Sequence, residues 1–140
     1  MDLSSFETAD GLNAISEGTL PELLGIRFTH VAHGLCRAEL LLKPVHMAAN
    51  GFLHAATVIA LADTAAGYGC MASLPKGAMG FTTIELKTNF VKTARDGTVR
   101  VEACMRYGGR TTQVWDAEVE TDDSQMMAAY RCTQMVLWPR

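Results

Sequence analysis

The chain has 140 residues, 49% of them hydrophobic and 19% charged, which is typical of a globular protein that buries a sizeable core. The formal net charge of −3 and the lack of any block of lysine or arginine argue against nucleic acid as the main partner. We therefore expect one globular domain over residues 1–140, in which residues 1–24 form an N-terminal segment with a short helix.

The first predicted elements are a short helix and a strand pair. Residues 19–22 (TLPE) have the pattern of a capping box with a proline in the first turn, and Gly25 is a stop signal for that helix. Two β-type runs follow at residues 26–32 and 35–43, and they are expected to pair as a hairpin.

A loop at residues 44–53 leads into a long predicted helix at residues 54–73. The apolar stretch approaches the length of about 20 residues that spans a membrane. However, it consists of Ala, Gly and Thr more than Leu or Ile, contains Asp63 and lacks flanking basic residues. We therefore predict a helix that is apolar all round because it lies in a protein core, and no membrane span.

After the long helix the hydrophobic period changes to two, which indicates strands. The predicted strands cover residues 82–92, 98–107, 110–121 and 126–137, with turn signals between them. In the first of these strands, Thr83, Glu85, Lys87 and Asn89 are predicted on one face and Ile84, Leu86 and Phe90 on the other; in the second, Val99, Val101, Ala103, Met105 and Tyr107 share a face. Consecutive hairpins predict an antiparallel sheet, so the fold class is α+β, with the sheet wrapped around one long helix.

The four cysteines are Cys36, Cys70, Cys104 and Cys132, and they form no CxxC pair. They are predicted to be reduced and mostly buried, because a disulfide framework is not expected at this length and spacing. The N-terminal residues lack the basic start and apolar core of a signal peptide. Together these features favour a cytoplasmic protein.

Asp63 is the one carboxylate in the long apolar helix, and its presence there needs a reason. It could be a structural residue that is satisfied by a neighbouring backbone N–H or hydroxyl, such as that of Thr57 or Thr64. Alternatively, it could be a desolvated carboxylate that acts as a base or a nucleophile. The residue alone does not decide between the two.

Three segments carry a resemblance to a known family. They are NGFLHAA with the following LADTA at residues 50–65, TTIELKTNFVKTA at residues 82–94, and the YGGRT hairpin at residues 107–111. In this order they resemble the hotdog-fold acyl-CoA thioesterases, specifically the phenylacetate-degradation type, over residues 24–137. The resemblance implies a sheet wrapped around a central helix and hydrolysis of an acyl-CoA thioester.

The resemblance also implies roles for single residues. The backbone N–H of Ala55, next to the motif residue His54, matches the family's donor to the thioester carbonyl oxygen, and a helix N-terminus suits a developing oxyanion. Asp63 matches the helix carboxylate that acts as nucleophile or general base. Thr83 matches a hydroxyl residue that assists from the third strand.

The sequence departs from the family pattern in two respects. Ala55 and Ala56 stand in place of Gly-Gly, so the N–H groups survive but each methyl group narrows the approach to the carbonyl. Ala48 stands where many members hold a water molecule with Asn or Gln. Either Asn50 or His46 is expected to substitute for it, with Asn50 assigned to the catalytic set.

Further residues are expected to contact the substrate. Arg110 is the first choice for a contact with the phosphates of coenzyme A, with an ordinary exposed charge as the alternative. Tyr68 and Phe81 either line the acyl pocket or pack in the core. The full set predicted to bind substrate is His46, Gly51, Ala56, Tyr68, Phe81, Thr82, Gly109 and Arg110. No metal or redox cofactor is required, because a thioester is already activated.

The sequence therefore predicts an acyl-CoA thioesterase for an aryl-acetyl, aryl or medium-chain acyl group. A hotdog hydratase or dehydratase is one alternative, although the LADTA segment argues against it. A catalytically silent acyl-CoA-binding protein is the other, and the alanines at positions 48, 55 and 56 keep it open.

The predicted assembly follows from the distance between Ala55 and Asp63. Ala55 and Asp63 are eight residues apart on one helix, which separates them by about 12 Å along its axis. Both must reach the same thioester group within roughly 3 Å. Two antiparallel helices related by a two-fold axis meet that requirement, so we predict a homodimer with two shared sites, and the resemblance implies pairing of dimers into a homotetramer.

Overall fold

A computed structural model describes residues 2–140. The helices are α1 (Ala9–Ile15), α2 (Leu20–Leu24) and α3 (Ala55–Ala72), and short 3₁₀ turns lie at Leu3–Phe6 and Pro44–His46. The strands are β1 (Ile26–Ala32), β2 (Leu35–Leu41), β3 (Gly80–Phe90), β4 (Thr98–Gly108), β5 (Thr112–Glu120) and β6 (Met126–Leu137). The predicted order of one short helix, two strands, one long helix and four strands is confirmed, with α1 in addition.

The six strands form one antiparallel sheet in the order β1-β2-β4-β5-β6-β3, and α3 packs across one face of it. This is the predicted α+β hotdog architecture. The strand β3, which follows α3 in the chain, therefore lies at the sheet edge next to β6. This crossover places β3 and β6 beside the middle of α3, where Asp63 lies.

Small side chains allow α3 to lie close to the sheet. Its buried residues are Thr57, Val58, Leu61, Ala62, Ala65, Ala66, Gly67, Gly69 and Cys70. The approach is very close at Gly69, where a Cβ atom would stand 2.7 Å from the buried Trp115 ring. By length and composition α3 could span a membrane, and half of it is buried inside this fold, as expected of a core helix.

Two β-bulges make the predicted strand faces partly wrong. In β3, Thr83 pairs with Gln134 and Glu85 pairs with Thr133, so that Ile84 is an extra residue. The bulge places Thr83 on the same face as Leu86, toward the helix, because an inserted residue reverses the alternation. A second irregularity between Met105 and Tyr107 turns the Tyr107 side chain, which is 59% exposed, away from the core face.

The N-terminal segment also differs from the prediction. The structure adds α1, which is capped by the Thr8 hydroxyl and was not predicted because seven residues carry little periodicity. The predicted α2 is confirmed, and Gly25 ends it with φ +84°. The predicted capping box is wrong: Thr19 makes no side-chain cap, and Glu22 instead accepts a hydrogen bond from the Gly18 N–H.

The edge strand β3 leaves apolar side chains uncovered. Most of its residues are exposed on both faces, and Ile84, Leu86 and Phe90 are 52%, 40% and 45% exposed. The other edge strand, β1, buries Ile26, Phe28 and Val31. A long, exposed and apolar edge is a liability in a protein that remains alone, so β3 is the surface where a covering partner is expected.

Candidate active site

The Asp63 carboxylate is held by a tyrosine from the sheet. Tyr130 on β6 donates a hydrogen bond from its hydroxyl to Asp63 Oδ1 at 2.5 Å. Neither hydroxyl considered from the sequence contacts Asp63, because Thr57 bonds to the carbonyl of His46 and Thr64 bonds to the carbonyl of Ala60. Asp63 is half-buried, and its Oδ2 atom makes no hydrogen bond to any residue that the structure describes.

Tyr130 is well suited to remain a donor. Its side chain is only 3% exposed. Burial raises the pKa of its hydroxyl well above the usual range, and the hydrogen bond to Asp63 raises that pKa further. The hydroxyl therefore keeps its proton and remains a hydrogen-bond donor to Asp63.

A row of polar side chains on β6 connects Asp63 with Thr83. Tyr130, Cys132 and Gln134 alternate along the buried face of this strand. Thr83 donates to Gln134 Oε1 at 2.7 Å, and the Gln134 amide lies 3.3 Å from the Cys132 sulfur. Cys132, in the middle of the row, interacts electrostatically with Asp63. Asp63 therefore adjoins the Tyr130 end of this row, and the Thr83–Gln134 pair lies at the other end.

The N-terminus of α3 presents an unused donor. His54 Nδ1 caps the helix by accepting the Ala56 N–H at 2.9 Å, so a neutral His54 carries its proton on Nε2. The next helix N–H groups, of Thr57 and Val58, bond to the His54 carbonyl. The Ala55 N–H makes no hydrogen bond within residues 2–140, as expected of a first-turn donor that is free to bind a ligand.

The loop before α3 is braced by its own residues. The Asn50 Oδ1 accepts the Phe52 N–H at 3.2 Å, and Gly51 adopts φ +82° in the turn. His46 is only 1% exposed, and both of its ring nitrogens are engaged, with the Lys43 N–H and the Leu24 carbonyl. Asn50 thus retains a free amide N–H₂ near the helix, whereas His46 has the environment of a structural residue.

Three residues that were predicted to bind substrate, Phe81, Tyr68 and Thr82, lie in different parts of the fold. Phe81 packs against Gly67, one turn along α3 from Asp63. Tyr68 packs between Phe6 and Phe28, and its hydroxyl lies 3.2 Å from Ser16, in the N-terminal part of the core. Thr82 is exposed on β3. Its side chain lies on the opposite face of the strand from those of its neighbours Phe81 and Thr83.

The β4–β5 hairpin carries Gly109 and Arg110 at an end of the sheet. The Gly109 N–H bonds to the carbonyl of Thr112, which closes the turn. The Arg110 guanidinium lies 4.5 Å from the centre of the Trp138 ring, and the Trp138 indole N–H bonds to the Arg110 carbonyl. This cation–π contact holds the guanidinium in a defined position at the surface.

Two clefts on the described surface can be compared as candidates for the acyl site. A cleft of about 220 Å³ opens beside the Ala55 N–H and is lined mainly by apolar residues, including Phe52, Val58, Phe90 and Met127, with Lys92 at its edge. A larger cleft, of about 460 Å³, lies on the outer face of the sheet among ion pairs such as Arg37–Glu102. Only the smaller cleft adjoins a group suited to the predicted chemistry.

Sequence reasoning missed Tyr130 and Gln134 as members of the site. Their only signal is spacing: polar or weakly polar residues at positions 130, 132 and 134 alternate on the face of a strand that is otherwise apolar. That pattern identifies a buried polar row, but it does not show that Asp63 lies above it.

The model of the thioesterase superfamily matches residues 50–128, which is more than half of the chain. The chain therefore belongs to the thioesterase superfamily and has the hotdog fold of that family. With this fold and with relatives that are named as hydrolases, the protein is a thioester hydrolase.

Individual relatives agree with this class. The 1,4-dihydroxy-2-naphthoyl-CoA hydrolase of Escherichia coli is 29% identical over 93% of this chain and 95% of its own. A mutant thioesterase from Pseudomonas aeruginosa superposes with a TM-score of 0.88 at 26% identity, over 94% of each chain. The Escherichia coli PaaI protein from the phenylacetic acid degradation operon shares the fold, with a TM-score of 0.80 at 20% identity, over 89% of each chain.

Proposed function

We propose that this single-domain protein hydrolyses an acyl-CoA thioester to the free acid and coenzyme A, and that Asp63 is its general base or nucleophile. The single observation that carries the proposal is the state of the Asp63 carboxylate. One oxygen is held by Tyr130, and the other is free in a half-buried position beside the sheet. A carboxylate that is fixed but not consumed by a salt bridge is available for chemistry.

In the general-base route, Asp63 Oδ2 takes a proton from a water molecule as the water oxygen bonds to the thioester carbon. The carbonyl oxygen becomes an oxyanion that the Ala55 N–H stabilises, with the His54 Nε2–H as a second donor. Collapse breaks the carbon–sulfur bond, and the proton on Asp63 passes to the departing thiolate. In the nucleophilic route, Oδ2 attacks the carbon itself, the carbon–sulfur bond breaks and the coenzyme A thiolate leaves, taking a proton from solvent. Water then hydrolyses the resulting anhydride, which releases the acid and restores the Asp63 carboxylate.

Thr83 suits the placement of the attacking water. Because its hydroxyl donates to Gln134, its lone pairs remain free to accept a hydrogen bond from that water. Asn50, with its free amide group, is the proposed donor in the position that Ala48 leaves empty.

The site needs two chains. Ala55 and Asp63 lie about 12 Å apart along α3, too far to act on one carbonyl group. We propose a homodimer in which β3 and α3 of two copies face each other, so that Ala55, His54 and Asn50 of one copy meet Asp63 and Thr83 of the other. The exposed apolar residues of β3 support this arrangement, and further pairing of dimers into a tetramer is proposed from the family resemblance.

The substrate is proposed to carry an aryl, aryl-acetyl or medium-chain acyl group in the cytoplasm. The cleft beside Ala55 supports this size, because about 220 Å³ accommodates one or two fused rings, and its walls are largely apolar. A relative that is named for a naphthoyl-CoA thioester supports an aromatic group in the panel of candidates. Arg110, braced by Trp138, is the proposed contact for the phosphates of coenzyme A.

The proposal is tested with Asp63→Asn and a panel of phenylacetyl-, benzoyl-, 1,4-dihydroxy-2-naphthoyl- and hexanoyl-CoA. We expect the variant to bind its best substrate but to lose at least about 10²-fold in kcat, the scale of a positioned acid or base. Asp10→Asn, which removes an exposed carboxylate on α1, is the matched control. Hydrolysis by Asp63→Asn at nearly the wild-type rate would overturn the assignment. Binding by the wild type without thiol release would instead indicate a silent acyl-CoA binder, and water addition to an enoyl-CoA would indicate a hydratase.

A further inference from the structure

The two oxygens of the Asp63 carboxylate have different surroundings. Oδ1 accepts the Tyr130 hydroxyl at 2.5 Å, and Oδ2 has no partner among the described residues. Tyr130 reaches Asp63 from another element of the fold, 67 positions further along the chain, and its own ring is almost fully buried. The contact is therefore fixed by packing on both sides and does not depend on a flexible surface side chain.

The other ionisable groups around Asp63 are buried thiols and one exposed carboxylate, that of Glu85. On β6, Cys132 faces Asp63, and burial raises the pKa of its thiol to about 11. Cys70 on α3 lies near Cys132, and Cys36 on β2 packs against Gly69. The buried faces of β1, β4 and β5 carry no ionisable side chain among the described residues. On β3, the charge of the exposed Glu85 acts on Cys132. The Glu85 carboxylate accepts a hydrogen bond from the Thr133 hydroxyl on the outer face of the sheet.

We propose that Tyr130 is a positioning residue for the hydrolysis: its hydroxyl fixes Asp63 by Oδ1 and directs Oδ2 toward the substrate. This inference rests on the proposed function of Asp63. A hydrogen bond from a neutral donor favours the charged form of a carboxylate. Among residues 2–140 no cationic side chain forms an ion pair with Asp63, so the Tyr130 phenol is the donor that this chain supplies to the carboxylate.

Tyr130→Phe removes only the hydroxyl and keeps the ring that fills the core. Because a hydrogen bond from a neutral donor favours the charged form of a carboxylate, we expect its loss to move the acidic limb of the pH–kcat profile upward. Loss of orientation is expected to lower kcat on the plateau by about tenfold, with KM nearly unchanged. Tyr107→Phe, the same change at an exposed tyrosine, is the matched control and should leave the profile unchanged.

A variant with a stronger donor tests the sign of the effect. Site-specific replacement of Tyr130 by 3-fluorotyrosine preserves the shape and makes the phenol more acidic, so the acidic limb should move to lower pH. This variant also serves if Tyr130→Phe does not fold. An acidic limb that stays in place in both variants, whatever happens to kcat or stability, would overturn the inference, because a merely structural tyrosine has that outcome.

A double variant separates this inference from the proposed function. In an Asp63→Asn background, Tyr130→Phe should cost no further turnover, because the group it positions is already absent. An additional loss there would contradict the inference. If Asp63→Asn alone keeps its activity, the proposed function fails. If Asp63→Asn is inactive while Tyr130→Phe behaves like Tyr107→Phe, only the role of Tyr130 fails.

Discussion

Ala55→Pro would remove one hydrogen-bond donor from α3 with little other effect. Ala55 is the first residue of the helix, a position that proline favours. The preceding His54 has ψ 132°, in the extended region that a residue before proline requires. The N–H that disappears makes no hydrogen bond in the folded chain. The variant should therefore fold, and its loss of activity should report the missing oxyanion donor.

The expected magnitude can be worked out for a mixture. Loss of one oxyanion donor costs about 10²–10³-fold in kcat, and Asp63→Ala is expected to cost at least as much. When equal amounts of the two variants exchange at random, about half of the dimers are mixed. If the site is shared, each mixed dimer has one site with both lesions and one with neither. About a quarter of the wild-type activity should therefore return from two nearly inactive preparations.

The assay is co-refolding of the two variants with different affinity tags, followed by isolation of dimers that carry both tags. The isolated mixed dimer should show about half of the wild-type kcat per dimer, since one of its two sites is intact. Ala9→Pro is the matched control, because Ala9 is likewise the first residue of a helix and follows an extended residue, Thr8. It should neither lose activity alone nor alter the recovery.

Isolated mixed dimers that remain inactive, although both variants fold, would refute the shared site. An active monomer would refute it more directly, because the 12 Å separation along α3 would then have to be bridged within one chain.

Two further predictions concern packing and thiol chemistry. Gly69→Ala should lower the free energy of unfolding, measured by denaturant titration, by about 1–2 kcal/mol. The added Cβ would stand 2.7 Å from the buried Trp115 ring, and the cost of this overpacking is larger than the gain in helix propensity from Gly to Ala. Gly67→Ala, with the same propensity gain, meets only the tip of the half-buried Phe81 ring and should cost less; the reverse order would contradict this account. Burial raises the pKa of Cys36 and of Cys70 to about 12 and that of Cys132 to about 11, so a disulfide reagent at pH 8 should modify at most Cys104 in the folded protein and all four thiols after unfolding. Rapid native labelling that persists in Cys104→Ser would show that the buried thiols are accessible.

The fold was predictable because its main signals are periodic and local. The strand at 26–32, the last strand at 126–137 and the long helix were predicted to within a residue or two, since each has a clear hydrophobic period and a stop signal. The helix of small residues also predicted a sheet lying close against it. The placement of β3 at the edge beside β6 carried no such local signal, because strand order depends on contacts between distant segments.

The candidate site could be predicted from the sequence only where one motif contains its residues. Ala55 and Asp63 share a helix, and the resemblance places them directly. Tyr130 has no partner in sequence, since its relation to Asp63 exists only after β6 and α3 have packed. Thr83 was predicted as an assisting residue but on the opposite face of its strand, because a single bulged residue reverses the alternation and leaves no signal in the pattern of side chains.

The exposed β3 edge and the proposed sharing of the site between two copies would both be met by one dimer interface. An exposed edge strand with apolar residues such as Ile84 and Phe90 invites pairing with any other chain, unless a specific partner covers it. If that partner is a second copy, covering β3 also brings the Ala55 N–H of one chain to the Asp63 carboxylate of the other. The same residues would then determine both solubility and turnover. A change that weakens β3 as an interface should therefore reduce kcat in proportion to the dimers lost, before the fold of each chain is disturbed. A stable β3 variant that is monomeric and fully active would separate the two properties and contradict this link.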